Sequence, residues 1–241
     1  MDENHTLKNI RRIHRDTSLD LVLEYIRNAI LDGTFPPGMQ LKQSVIAKNL
    51  GVSQGPTREA LIQLVGEGLV EIQSFHGMFV RRLGQKDIEE IYQLRLALES
   101  LAIKTALPTL KAPEQMQKLE TLVAATIQAE EGGNYDQAVA NDLAFHHFIV
   151  DFSGNQRLIN FWESLLAQSR YILRQLYQVE REMFHENMAQ NHLVILEGIR
   201  TQDVPAIQKI LQEHMEYAMT RLLRLIQSQN SMPQLAQGQL R

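Results

Sequence analysis

Apolar residues recur at helical spacing from Leu21 to Leu31, through Leu21, Val22, Tyr25, Ile26, Ala29 and Ile30, and Gly33 with Pro36-Pro37-Gly38 ends the run. The pattern predicts a first helix. Residues 44–50 (SVIAKNL) predict a short second helix stopped by Gly51. Ser53 then stands where a side chain can cap a third helix, running through Ala60, Leu61 and Leu64 toward Gly66. Pro56 falls in that helix's first turn, where its missing N–H does no harm. Beyond Gly68 the period changes. Leu69 to Gln73 and Met78 to Val80 are β-prone runs on either side of Ser74-Phe75-His76-Gly77, which reads as a hairpin.

The rest of the chain returns to helical spacing. Ile88, Ile91, Leu94, Leu98, Leu101, Ala102 and Ala106 predict an amphipathic helix over 86–107, and Pro108 and Pro113 bracket the break after it. Further helices are predicted over about 114–131, 134–152, 156–179, 182–201 and 204–227, separated by Gly132-Gly133, Ser153-Gly154-Asn155 and Asp203 to Pro205. Short connections between six helices predict an antiparallel bundle. The expected fold is mainly α: a polar arm over 1–18, a helix-turn-helix with a hairpin wing over 19–82, an all-α bundle over 86–227, and a frayed tail over 228–241.

Composition narrows the classes. A chain of 241 residues, 44% hydrophobic, can bury a core in each of two modest domains. It has no apolar run of the ~18 residues a membrane span needs, and the charged N-terminus MDENHTLKNIRRIHRDTS lacks a signal peptide's apolar core, so a cytoplasmic protein with no membrane partner is expected. With no cysteine, any metal must be held by nitrogen and oxygen. The net charge of −4 divides unevenly: residues 1–85 carry ten Lys+Arg against nine Asp+Glu, and the remainder fourteen against nineteen. Lys8, Arg11, Arg12 and Arg15, and separately Arg81 and Arg82, form local basic clusters. These suit phosphates, although charge alone favours a solvated tail and a strand end.

A helix-turn-helix followed by a hairpin is a DNA-reading shape, in which the third helix enters the major groove and the wing reaches the neighbouring groove or backbone. That places Ser53, Gln54, Thr57 and Arg58 toward the groove and His76 with Gly77 at the wing tip. Arg58 can make two hydrogen bonds to guanine or hold a phosphate, and Gln54 can make two to adenine. Arg58 can also pair with Glu59, Glu67 or Glu71.

In the second domain, Asp142 and His146 lie four apart in AVANDLAFHHFIV, hence on one helix face, with His192 and His214 in two later helices. A carboxylate and three imidazoles brought together in a bundle can bind a borderline divalent ion, with zinc or nickel expected and positions left for water or a carboxylate ligand. His147 should point away from His146, and His185 sits in a polar stretch without a partner pattern. Such a site can also activate water for hydrolysis, although no nucleophile elbow, Walker loop or dinucleotide fingerprint accompanies it.

PPGMQL, IAKNLGVSQGPTREAL, EGLVEI and the glycine-tipped hairpin resemble the winged-helix domain of the GntR superfamily. Gln54 and Gly55 stand where that family commonly has Arg and Thr, Thr57 where it has Val, and Gln43-Ser44 where Glu-Arg is frequent. The helical part resembles the FadR-type branch with its FCD effector domain, a VanR-like six-helix bundle carrying D...H, H and H. The resemblance implies a homodimeric transcription regulator, a repressor by expectation, that binds a palindromic operator in double-stranded DNA. It further implies metal ligation by Asp142, His146, His192 and His214, and a small organic-acid effector whose carboxylate Arg95 would hold, unless Arg95 pairs internally with Glu99. A regulator for which the ion itself is the signal is an alternative within the same resemblance.

Overall fold

The computed structural model describes residues 18–179 and 188–231. Three helices open the described residues, α1 (Ser18–Leu31), α2 (Gln43–Leu50) and α3 (Gln54–Gly66), followed by the strands β1 (Val70–Gln73) and β2 (Gly77–Val80). Six helices follow: α4 (Gln85–Leu110), α5 (Pro113–Glu131), α6 (Tyr135–Asp151), α7 (Gln156–Val179), α8 (Met188–Thr201) and α9 (Val204–Ser231). The order of elements is the one expected from periodicity. The polar arm and its Lys8, Arg11, Arg12 and Arg15 lie outside the described residues, as do His185 and the start of the helix expected from 182. α9 continues to Ser231, into the stretch expected as a tail, and the remainder of that stretch lies outside the described residues.

The turn between α2 and α3 depends on Gly51, whose φ of 67° is left-handed and whose N–H closes on the last turn of α2. Ser53 occupies the N-cap of α3 in extended conformation, but its hydroxyl makes no capping bond. The strands pair antiparallel with Val70 opposite Val80 and Gln73 opposite Gly77, and a bridge from Gln40 to Phe79 braces the outer edge. Val22, Ile26, Ile30, Leu61, Leu64, Leu69 and Val80 form the core of this part. Leu21 and Tyr25, which share the apolar spacing of α1, are instead 62% and 49% exposed.

The two parts are tied through α7. Tyr171 is buried in the core of the N-terminal domain, and its hydroxyl donates to the Arg81 carbonyl at 3.1 Å. Gln168, one turn earlier, packs so closely on Gly68 that a Cβ there would collide with it.

In the bundle, α4 runs past the expected break at Pro108 and ends at Leu110. Proline costs the helix one N–H there, and the fully buried Leu110, in the cluster of Ile103, Leu119, Phe145 and Ile199, holds the last turn in place. The inward face of α4 also differs from the one its leucines suggest. Ile88, Ile91, Tyr92, Arg95, Glu99, Ala102, Ile103 and Ala106 are buried, whereas Leu94 and Leu101 are 52% and 46% exposed. Asn155 caps α7, accepting from the Leu158 N–H at 3.2 Å.

Candidate metal centre and DNA-facing surface

Three helices bring three imidazoles to one point inside the bundle. His146 Nε2 of α6 lies 3.2 Å from His192 Nε2 of α8 and 3.2 Å from His214 Nε2 of α9. Among the described residues these three offer ligand atoms all within 4.8 Å of one another. Asp142 stands one turn before His146 and reaches the group from one side, its Oδ1 3.1 Å from His192 Nε2. His146 and His192 are 1% and 2% exposed, and Asp142 6%.

Buried polar groups are stable only when partnered, and α4 supplies the partners. Glu99 Oε2 lies 2.6 Å from His146 Nδ1, while its other oxygen accepts from Arg95 Nε and from Trp162 Nε1, each at 3.1 Å. Burial pushes the Glu99 carboxyl up, but the His146 ring, the Arg95 guanidinium and the two side-chain hydrogen bonds outweigh it and hold Glu99 at about 2. An ionised Glu99 requires His146 Nδ1 to be the donor, which in the neutral ring leaves Nε2 as a lone pair facing the other two histidines. Burial likewise pushes Asp142 up; the hydrogen bond from His192 and the charges of His192, His146 and Arg95 bring it below the ordinary carboxylate range. His214 is driven well below the usual imidazole value, first by burial and then by its two histidine neighbours, which keeps it neutral, the form able to bind a cation.

The donor set fits a divalent ion. Bonds of ~2.0–2.1 Å to nitrogen give N···N edges of about 3 Å in a tetrahedral or octahedral site, and the two 3.2 Å separations match. The two ring nitrogens turned away, Nδ1 of His192 and of His214, are buried without a protein partner. Arg95 Nη2 is also buried and unpartnered, so the internal pair with Glu99 leaves part of its guanidinium unused.

Glu99 and Trp162 are site residues that periodicity does not reveal. The available signal was an acid one turn from Arg95 on a buried helix; its contact with His146 joins residues 47 apart in sequence. His147 points away from the centre, as adjacent helix positions must, and stacks on Trp162 with centroids 5.1 Å apart.

At the other end, Ser53, Gln54 and Arg58 are exposed on the first turns of α3, and the Gln54 carbonyl accepts from Gln43 Nε2 at 2.8 Å. Thr57, expected to face the groove, does not. It is wholly buried on the same face as Ala60, Leu61 and Leu64, and its hydroxyl turns back to the Ser53 carbonyl at 3.5 Å, so it cannot reach a base edge. His76 and Gly77 are exposed at the hairpin end, with Gly77 in a positive-φ conformation (103°).

Two family models match this chain: that of bacterial regulatory proteins, gntR family, over residues 20–80, and that of the FCD domain over residues 90–217. The HTH-type transcriptional regulator YdhC of Bacillus subtilis (strain 168) is 27% identical over 203 residues, covering 84% of this chain and 89% of YdhC. The HTH-type transcriptional repressor GlaR of Escherichia coli (strain K12) is 26% identical over 211 residues, covering 83% of this chain and 92% of GlaR. Among solved structures, E. coli McbR/YncC superposes with a TM-score of 0.73 at 25% identity, covering 87% of this chain and 99% of that one. No helix among the described residues is long and apolar enough to cross a membrane.

Proposed function

Because this chain belongs to the gntR family of bacterial regulatory proteins and carries an FCD domain, and is therefore a DNA-binding transcription regulator rather than an enzyme, we propose that it is a homodimeric cytoplasmic repressor whose bundle holds a divalent metal and senses a small organic acid. The observation that carries this reading is the convergence of three Nε2 atoms beside Asp142, those of His146 and His192 on buried side chains, with Glu99 fixing the His146 tautomer.

In this reading His146, His192, His214 and Asp142 hold the ion, with zinc or nickel best suited to imidazole and carboxylate donors. Bound there, the cation supplies a positive anchor for a carboxylate. Arg95 sits beside the same space with Nη2 unspent, so it can hold the acid's second oxygen through a charge-assisted hydrogen bond. The unpartnered Nδ1 atoms of His192 and His214 offer polar contacts at the back of the rings.

The route to DNA runs along α7. Its Trp162 bonds Glu99 at the metal centre, and its Tyr171 bonds Arg81 at the base of the wing. An effector that favours a different placement of α7 alters where the two reading heads stand, and differential affinity for the two placements drives release from the operator. Leu94 and Leu101, two turns apart and exposed on α4, with half-buried Leu98 between them, give an apolar seam suited to a second copy. Palindromic half-sites require such a pair.

The test is an operator-binding titration with a panel of carboxylic acids, with and without stoichiometric zinc or nickel. The reading expects acid-driven release only with metal present. Release by metal alone would favour the ion as the signal, and no response to either would defeat the sensing part of the proposal.

A further inference from the structure

Phe75 stands fully in solvent, at 106% relative exposure. Its φ of 63° is in the left-handed region, shared among the non-glycine described residues only with Gln202. A bulky side chain is strained there, and such strain gathers at functional positions. The ring is thus held in an unfavourable backbone state with no packing in the protomer to offset it.

The apex around it is braced. The His76 N–H donates to the Gln73 carbonyl at 3.0 Å, and Gln40 Nε2 donates to the His76 carbonyl at 2.7 Å. Gln73 pairs with Gly77 directly below, and the backbone of Gln40 is bridged to Phe79. Phe75 is therefore carried on a fixed point of the hairpin. From Gln73 to Gly77 no side chain is acidic, and the carboxylate of Glu71, just before the tip, accepts a hydrogen bond from Gln73 Nε2 at 2.8 Å.

We infer that Phe75 is an apolar wedge which the hairpin presents to duplex DNA beside the half-site, entering the minor groove and partly unstacking one base step. Proteins that use such wedges gain a bent duplex at the expense of stacking. Pyrimidine–purine steps unstack most readily, so the ring would give sequence preference under the wing without a base-specific hydrogen bond. This rests on the DNA-binding reading of the N-terminal domain.

The experiment uses the metal-loaded full chain and a duplex that it selects from a random pool, with 2-aminopurine placed at the step beneath the wing as located by footprinting. For F75A the expected result is about a tenfold loss of affinity. The salt slope should be unchanged, since no phosphate contact is removed. Wild type should brighten the 2-aminopurine, F75L less so, and F75A not at all. F75A with wild-type affinity and a wild-type fluorescence rise would overturn the wedge. So would an affinity loss accompanied by a lower sedimentation mass, which would place the ring between copies of the chain. A wild-type chain that selects no duplex would overturn the DNA-binding reading itself, and the wedge with it.

Discussion

His146 of α6 and Glu99 of α4 face each other across 2.6 Å in the interior of the bundle, and this one contact links the centre to everything around it. On one side His146 Nε2 meets His192 and His214; on the other Glu99 gathers Arg95 and Trp162. A metal ligand whose second nitrogen is anchored by a carboxylate is held in one tautomer and one orientation.

E99Q tests that anchor. The amide keeps the shape but presents an N–H to groups that now donate, so metal affinity should fall about 10–100-fold. Loss of the partner of buried Arg95 should cost about 3 kcal/mol or more. The pH dependence follows from the depressed folded-state pKa. Glu99 ordinarily titrates at 4.5 and is held at about 2 in the fold, so its contribution is complete above 4.5 and disappears as pH falls toward 2. Urea midpoints of metal-stripped protein across this window should fall more steeply for wild type than for E99Q; parallel curves would remove Glu99 from the account.

Arg58 and Thr57 are neighbours in sequence with opposite fates. R58A should weaken operator binding by about 1–3 kcal/mol and relax preference at one base pair. T57V replaces a buried hydroxyl on the core face and should leave operator preference unchanged. Binding measured over a set of single-base operator variants distinguishes the two, and a changed base preference in T57V would return that residue to the groove.

The proposed dimer covers the face of α4 that carries Leu94 and Leu101. L94E/L101E, which changes side chains already half exposed in the protomer, should yield a folded monomer with weakened operator binding. Sedimentation and helical circular dichroism check mass and fold together. A double variant that remains dimeric would move the interface elsewhere.

Much of this was legible in the chain before any coordinates. The periods of 3.6 and 2 separated the reading head from the bundle, and the four-residue step from Asp142 to His146 placed both on one face. Periodicity failed where polar residues occupy the core. On α4 the buried face holds Arg95 and Glu99, so a reading by hydropathy turned Leu94 and Leu101 inward in their place. Thr57 failed for the same reason, since a hydroxyl satisfied by the Ser53 carbonyl can be buried while resembling a surface residue in sequence. The bonds of Glu99 to His146 and Trp162 span 47 and 63 residues and depend on how α4, α6 and α7 pack, which no local pattern encodes.

The most direct measurement is the divalent-metal content and zinc and nickel affinity of the purified full chain, wild type against H192A, by elemental analysis and competition with a chelator. The account predicts about one tightly bound ion per wild-type chain, with affinity lowered at least about 100-fold in H192A, because one of three converging imidazoles is gone. A wild-type chain that binds neither ion, or an H192A variant that holds it as tightly, would contradict it.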